Sequence, residues 1–512
     1  MTEAGLAEFP LAARLAAFAA SATFDELPAE VIDSVRLRVL DILGICVAAS
    51  RLDTSRAARD WVSDQGGRPQ AHAVGLAEPV PAPLAAFVNG VLAHSLDYDD
   101  THLPSILHPS ASVVPAALAA AQYAGADGRA TIAAIACGLE ICVRLGMAGY
   151  RRDNQTSVFL EHGQHATSIC GALAAAVSSG LLLGLDADGI RSAIGIAASM
   201  SAGIIEANRA GGSVKRMHCG WAAHAGVSAA QLTARGFTGP STVLEGRFGF
   251  YRAWLHGDYD PAALTDGLGQ TWAVPGIFFK PYPANHFTHA AIDAAMVLRA
   301  DGLEPGDVES AVLGVAAAPL RTIGEPIEVK RAPLTGYMAQ FSGPYAVAVG
   351  LFGGAGLGAG LADFTDDLAR DPDRRELMAR VSVVADDSCT QVFPYQFPAV
   401  LRVRTKDGRT LRAAVMTTRG GPDRPLSPAE LRTKFRDNVA GVLSAEAAGR
   451  IEQATEHLDQ LTDLSILLRP LAAPFGESDQ EVLRASVRPT DKERSGGHAG
   501  QRFPCRARHR GH

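Results

Sequence analysis

His94-Ser95-Leu96-Asp97-Tyr98-Asp99-Asp100-Thr101-His102, followed shortly by His108-Pro109, places three carboxylates, three imidazoles and the Thr101 hydroxyl within fifteen positions. Just before it, Leu84, Phe87, Val88, Val91 and Leu92 recur at helical spacing and read as the buried face of a core helix. A polar knot at the end of a core helix is not an ordinary surface loop. It holds groups of differing proton affinity close together, as acid/base chemistry on a small substrate requires. The same aspartates also have a plain reading as helix caps or a solvated turn, because Asp satisfies free backbone N–H groups in both settings.

Outward from this stretch the first half reads as helix after helix. Pro28 stands at a helix start with Val31, Val35, Val39 and Leu43 at four-residue spacing behind it, and similar patterns occupy roughly 128–149, 168–184, 187–206 and 221–236. Near residue 270 the composition changes. Trp272 is followed by Pro275, Pro281 and Pro283, then by strand-like runs at Val308 to Val315 and Val381 to Val384, and by a hairpin in which Leu401, Val403 and Thr405 alternate before Lys406-Asp407-Gly408 turns the chain. Helical signals return at Ser427-Pro428-Ala429-Glu430, a serine cap with Pro in the first turn and Glu placed for a capping box. The expected fold is mainly α: a large discontinuous all-helical domain over 1–268 and 425–470, with a smaller α+β lid domain inserted over 269–424. The remainder, 471–512, turns polar and basic from Arg484 and is expected to be a disordered, solvated extension rather than a nucleic-acid contact.

The chain has 512 residues, enough for two domains with real cores, and its 47% hydrophobic and 20% charged content belongs to a globular protein in water. A formal net charge of -7 supplies no basic footprint for nucleic acid, so an anion must be held by a local cluster of Lys, Arg and His. Seven cysteines without a C-x-x-C pair suggest reduced, buried thiols rather than a disulfide framework. Glu3 and Glu8 occupy the place where a secretory signal would carry basic residues, and no uninterrupted apolar run reaches membrane-spanning length, so a cytoplasmic protein without membrane contact is expected.

Two further clusters carry chemistry. Gly211-Gly212-Ser213-Val214-Lys215-Arg216-Met217-His218 puts two cations after a glycine pair, at the mouth of a helix expected to begin near Trp221. Flexible backbone, positive side chains and a helix N-terminus all favour an anion there, carboxylate or phosphate alike, the plain alternative being a surface cation pair. Phe278-Phe279-Lys280-Pro281-Tyr282-Pro283 fixes a lysine beside two prolines, ahead of His286 and His289. That histidine pair lies one turn apart and lacks a third ligand, so no metal is assigned to it. Gly354-Ala-Gly356-Leu-Gly358-Ala359 approximates a dinucleotide loop, but a helix rather than a strand precedes it and alanine takes the third glycine position, leaving a tight loop as the better reading. Cys137 and Cys142 read as core residues of an apolar helix.

At these clusters the chain resembles the MmgE/PrpD family, whose members include 2-methylcitrate dehydratases, cis-aconitate decarboxylases and iminodisuccinate epimerases. The likeness runs from the N-terminal helices to about residue 468 and rests on four segments: His94 to His102, Lys215 to Gly226, Gly236 to Pro240 with Glu245 to Phe250, and Lys280 to Asp293. It implies a helical domain with a smaller lid domain, a homodimer, a site in the cleft between the domains, and neither metal nor other cofactor. It also implies the catalytic residues: Asp97, Thr101, His108, His165 ahead of Cys170-Gly171-Ala172, Lys215, Lys280, and Tyr345 at the end of Phe341-Ser-Gly-Pro-Tyr345. The chain departs from the family pattern in two places. The spacer from Thr101 to His108 is longer by a single residue than in the decarboxylase branch, and Ala166 follows His165 where proline is common.

The chemistry can be argued without the resemblance. Removing a proton next to a carboxylate creates an enediolate-like species, so a site needs a base near the C–H bond and cations on the carboxylate oxygens. His108 or His165 is the base, and a second imidazole, still charged, is the acid for a departing hydroxide. Lys215, Arg216 and Lys280 hold carboxylates, Asp97 orients or charge-stabilises a histidine, and Thr101 and Tyr345 supply neutral hydrogen bonds. His102, Arg216 and His218 are assigned as substrate contacts, His218 with structural hydrogen bonding as its alternative. The expected partner is a small di- or tricarboxylic acid, with 2-methylcitrate dehydration as the leading activity, and decarboxylation of cis-aconitate or epimerisation of iminodisuccinate sharing the same carbanion-like step. Two rivals from other classes stay open: a carboxylate-binding protein without turnover, and a metal-dependent hydrolase using His94, Asp97, Asp99 and His102.

Overall fold

Pro28 enters α1 (Ala29–Ala49) in an extended conformation, and the Val31, Val35, Val39 and Leu43 stripe is buried as its spacing requires. The computed structural model describes residues 10–153, 155–207 and 211–472. After α1 come α2 (Asp53–Gln65), α3 (Ala82–Ala93), α4 (Ser110–Ala124), α5 (Gly128–Ala148), α6 (Ala166–Leu182), α7 (Ala187–Met200) and α8 (Val214–Thr233). α8 lies against both α3 and α6. The α3–α8 crossing is a backbone contact: a Cβ on Gly90 of α3 would stand 2.7 Å from the Gly220 Cα of α8, so any larger residue forces the helices apart. This crossing fixes the first turn of α8, which carries Lys215, relative to the C-terminus of α3, where His94 begins the polar knot.

α5 is long and apolar enough to cross a membrane by length and composition, but most of it is buried within the fold, and its Glu140 and Arg144 pair at 2.7 Å. It is a core helix.

The second half supplies α9 (His289–Ala300), β1 (Val308–Val315), α10 (Gly343–Phe352), β2 (Val381–Ala385), β3 (Ala399–Thr405) and β4 (Thr410–Val415). The strands form one sheet in the order β2-β1-β3-β4, parallel between β1 and β2 and antiparallel elsewhere, with Leu313 opposite Leu401 and Arg402 opposite Arg412. The β3–β4 hairpin turns at Lys406-Asp407-Gly408, where Gly408 takes φ +89°, a conformation that glycine adopts without a Cβ penalty. Ile292 of α9, Val347 of α10, Leu313 and Leu401 share its core. The fold is thus mainly α with a small α+β part, as the sequence indicates.

The chain then returns to where it began. α11 (Pro428–Val439) has the expected capping box between Ser427 and Glu430 and packs on α1, where the ring of Phe435 covers Gly44. Lys434 reaches Asp41 of α1 at 2.7 Å.

Two boundaries differ from expectation. The helix expected over 187–206 ends at Met200, because Gly203 adopts φ +148° and its carbonyl accepts from the His165 N–H at 3.0 Å. That segment runs beside the entrance to α6 instead of continuing the helix. The helix expected near Trp221 begins seven residues earlier, at Val214, so Lys215 and Arg216 are helical rather than loop residues. Of the tail expected over 471–512, Leu471 and Ala472 are buried, and the rest, Cys505 included, lies outside the described residues.

Candidate active site

α3 ends at Ala93, and the chain from His94 to Pro109 forms a buried loop before α4 starts at Ser110. Four contacts from distant segments fix it. Arg38 of α1 pairs with Asp100 at 2.6 Å, Lys434 of α11 donates to the Tyr98 carbonyl at 3.0 Å, and Thr101 exchanges backbone hydrogen bonds with Phe278 at 2.9 and 2.8 Å. Lys280, two residues beyond that bridge, donates to both the carbonyl (2.9 Å) and Oδ1 (2.8 Å) of Asp97. Asp97 itself takes φ +51°, a left-handed conformation that Asp tolerates better than most residues and that costs on the order of 1 kcal/mol.

The three carboxylates divide the work. Asp100 is structural: it binds Arg38, accepts from the Ser110 N–H at 3.1 Å and from the Ser110 hydroxyl, and so secures the start of α4. Burial outweighs those partners and raises its pKa. Asp99 holds His94 through Nδ1 at 2.7 Å. Asp97 is held by Lys280 on one side, and its Oδ2 is buried without a hydrogen-bond partner. Burial alone would raise the Asp97 pKa, but the charges of Lys280, Lys215 and His108 hold it well below the usual carboxylate range. The helix-cap reading is right for Asp100 and not for its neighbours.

His108 and His165 flank His94, and His218 neighbours His165. His108 Nδ1 lies 2.7 Å from the Asp100 carbonyl and 3.3 Å from the Thr101 hydroxyl; a carbonyl only accepts, so Nδ1 carries the proton and Nε2 keeps its lone pair. Burial, with Lys280, His94 and Lys215 adding to it against Asp99, pushes the His108 pKa down to about 3. His165, at the entrance to α6, shares a hydrogen bond with His218 of α8 between their Nδ1 atoms at 2.9 Å. Burial and the neighbouring cationic groups hold His165 well below its ordinary value, and His218 down to about 4. Near neutral pH the ligand-free site therefore presents neutral His108, His165 and His218, fit to accept protons, in place of the charged imidazole expected as a resident acid. A bound polyanion would raise these values by opposing the local positive charge.

Lys215 stands partly exposed in the first turn of α8, and although burial works against its charge, Asp97, Tyr337 and Asp99 raise its pKa above the ordinary lysine value. With Lys280 it places two ammonium groups close enough to act on Asp97. Arg216 does not join them. Adjacent helical residues project about 100° apart, and its guanidinium turns to the Thr54 hydroxyl (3.2 Å) and the Tyr337 ring, lining a separate apolar cavity of about 590 Å³ with Trp61, Phe87, Val91, Met217 and Trp221. His102 is also diverted: its Nδ1 meets the Ser105 hydroxyl at 2.6 Å inside the loop. Tyr345 belongs to the core of the α+β part, where its hydroxyl donates to the Asp363 carbonyl at 2.5 Å and its ring meets Phe364. These three are corrections to the sequence reading, while Asp97, Thr101, His108, His165, His218, Lys215 and Lys280 come together.

Two residues at the site were not assigned from sequence. His94, first residue of the knot, lies 5.3 Å from the His108 ring and 5.4 Å from the His165 ring by centroids. The available signal was its position at the end of a core helix with Asp99 close behind. His286, set aside with His289 as an incomplete metal pair, has both ring nitrogens buried without partners, and Lys280, His108 and Asp97 all act on its charge. The four candidate metal ligands of the hydrolase reading do not converge, because His94 binds Asp99 and His102 turns to Ser105; among the described residues no group of three or more metal-ligating side chains occurs.

Neutral imidazoles and two ammonium groups near Asp97, on a helical part beside a small α+β part, are fit to move protons next to an anion, and the class of protein is a lyase. The chain belongs to the MmgE/PrpD family: the MmgE/PrpD N-terminal domain matches residues 13–262 and the MmgE/PrpD C-terminal domain residues 282–460. It is 30% identical over 410 residues to cis-aconitate decarboxylase of Homo sapiens, covering 77% of this chain and 80% of the relative. To the Aspergillus terreus cis-aconitate decarboxylase it is 25% identical over 479 residues (90% and 96% covered), and to that of Mus musculus 29% over 420 (79% and 81%).

Proposed function

We propose that the protein decarboxylates cis-aconitate or a close tricarboxylic analogue. The observation that carries this reading is the Asp97–Lys280 pair with Lys215 acting on the same carboxylate, its own pKa raised, and with neutral His108 beside them. Two ammonium groups beside one buried carboxylate suit a substrate with several carboxylates. Relatives named cis-aconitate decarboxylase, aligned over most of both chains, favour this substrate over 2-methylcitrate, the leading expectation from sequence. Lys215 and Lys280 neutralise the carboxylates that stay; carbon dioxide leaves with the C–C bonding pair remaining on the substrate, delocalised into the neighbouring unsaturated carboxylate; a protonated imidazole, His108 or His165, then forms the new C–H bond. The reaction takes up one proton per turnover. Asp97 holds Lys280 in place, and Thr101 fixes the His108 ring.

The proposal includes a homodimer, by analogy with the family, and a cytoplasmic location, which six buried, unpaired thiols support because they suit a reducing compartment. Proton NMR of the purified protein with cis-aconitate, 2-methylcitrate and iminodisuccinate in heavy water tests the activity. Carbon dioxide release and one deuterium incorporated from cis-aconitate are expected. A new vinyl signal from 2-methylcitrate with cis-aconitate untouched would replace decarboxylation by dehydration.

A further inference from the structure

His94 is buried at 3% exposure, its Nδ1 is bound to Asp99 at 2.7 Å, and its Nε2 has no hydrogen-bond partner. Asp99 accepts only, so the Nδ1 proton stays on His94 and Nε2 offers the lone pair. The rings of His108 and His165 flank it at 5.3 and 5.4 Å between centroids, and His165 is hydrogen-bonded to His218, so that four imidazoles from three segments are neighbours in the order His108, His94, His165, His218, with Asp99 bound to His94. A buried unpaired ring nitrogen costs free energy unless it has a use.

We propose that the His94–Asp99 pair is the proton store of the site, a positioning residue and its carboxylate that feed and refill His108 and His165. The inference rests on the decarboxylase reading above. A proton on His108 is repelled by Lys280 and Lys215, and one on His165 by Lys215, whereas His94 has the buried Asp99 carboxylate at 2.7 Å as a counter-charge. His94 is loaded when Nε2 takes up a second proton; once carbon dioxide has left, it passes that proton to His108 or His165, and that imidazole gives a proton to the carbanion. His94 is left neutral, with Nδ1–H still on Asp99, and is recharged from water through His218 and His165. One proton enters from solvent and one C–H bond forms. The groups facing His94 are Asp99 and His108 from its own loop, His165 from α6 and His218 from α8, while Cys46 of α1 and Cys219 of α8 flank Asp99.

His94→Asn keeps an amide N–H for Asp99 and removes Nε2. It is expected to keep KM within about threefold, to lower kcat by roughly 100-fold, and to move the pH profile of kcat. A kcat within threefold of the parent, or a changed melting temperature and KM with the pH profile unmoved, overturns the proposal. Should His94→Asn not fold by circular dichroism, Asp99→Asn takes its place: the amide donates to Nδ1 and reverses the tautomer, with the same kcat loss expected and unchanged kcat overturning the idea. A parent protein inactive on cis-aconitate would sink the decarboxylase reading only, because nitrogen-15 NMR of labelled histidines tests the store without substrate. The nitrogen-15 shift of His94 Nε2 is expected to differ from the parent's in His108→Gln and in His165→Gln, and identical shifts in both variants overturn the proposal.

Discussion

Two buried lysine–aspartate pairs bracket the same loop, and they behave in opposite ways. Lys434 meets Asp41 at 2.7 Å, donates to the Tyr98 carbonyl and lies 3.9 Å from the centre of the Tyr98 ring; burial lowers the lysine pKa and raises that of Asp41. Lys280 meets Asp97 at 2.8 Å, yet the Asp97 pKa falls, because Lys215 and His108 act on it as well. The geometry is the same and the surroundings decide. Around Asp41 the further charges are of both signs, Asp100 against Arg38, and the pair is a sealed fastener. Around Asp97 the further groups, Lys215 and His108, both lower the carboxyl pKa, and that pair belongs to the anion site proposed above.

The comparison breaks most directly at Lys280. Lys280→Met is expected to lower kcat/KM by about 10³-fold, the scale of a lost charge-stabilising donor, in steady-state assays on cis-aconitate, with a smaller change in melting temperature than Lys434→Met. Next in size, Lys434→Met leaves Asp41 buried without its cation and is expected to cost about 3–5 kcal/mol in urea unfolding, while Lys434→Met with Asp41→Leu recovers most of it. Near-equal stability losses for Lys280→Met and Lys434→Met would erase the distinction.

Acid sharpens the contrast. His108 titrates at about 3 in the folded protein and near 6.5 when unfolded. The unfolded chain therefore binds more protons between these values, so the stability from a neutral His108 is complete above about pH 6.5 and is lost as pH falls toward 3. Asp97, with its depressed pKa, adds a loss in the same direction below about pH 4. Melting temperature should be flat above pH 7 and fall below pH 6, less steeply in His108→Gln; an equal slope in that variant would remove His108 from the account. The smallest effects belong to the side chains that turn away. Arg216→Ala is expected to leave kcat/KM within about threefold, and Tyr345→Phe to cost about 1 kcal/mol of stability through the lost bond to the Asp363 carbonyl, with little change in kcat.

What the sequence made legible was local. The Ser427–Glu430 capping box, the turn at Gly408 and strand β1 follow from neighbouring residues and stand where their patterns put them. The end of α7 at Met200 did not follow from its own residues, since it depends on Gly203 binding His165, 38 positions earlier in the chain. The separation of Lys215 from Arg216 was hidden by the misplaced start of α8: in a loop the two cations can share a ligand, and in a helical turn they cannot. His94 was visible as a residue but not as a partner, because its spacing to Asp99 belongs to no regular element and only the folded loop joins them.

The clasp made by α1 and α11 sets a schedule for biosynthesis. Arg38, which pairs with the loop through Asp100, is made early in translation, but the opposing hold comes from Lys434, far along the chain. A nascent polypeptide carries nearly all the candidate groups long before the helix bearing Lys434 has cleared the ribosome, so a premature stop before Lys434 is expected to yield an inert product rather than a weak enzyme.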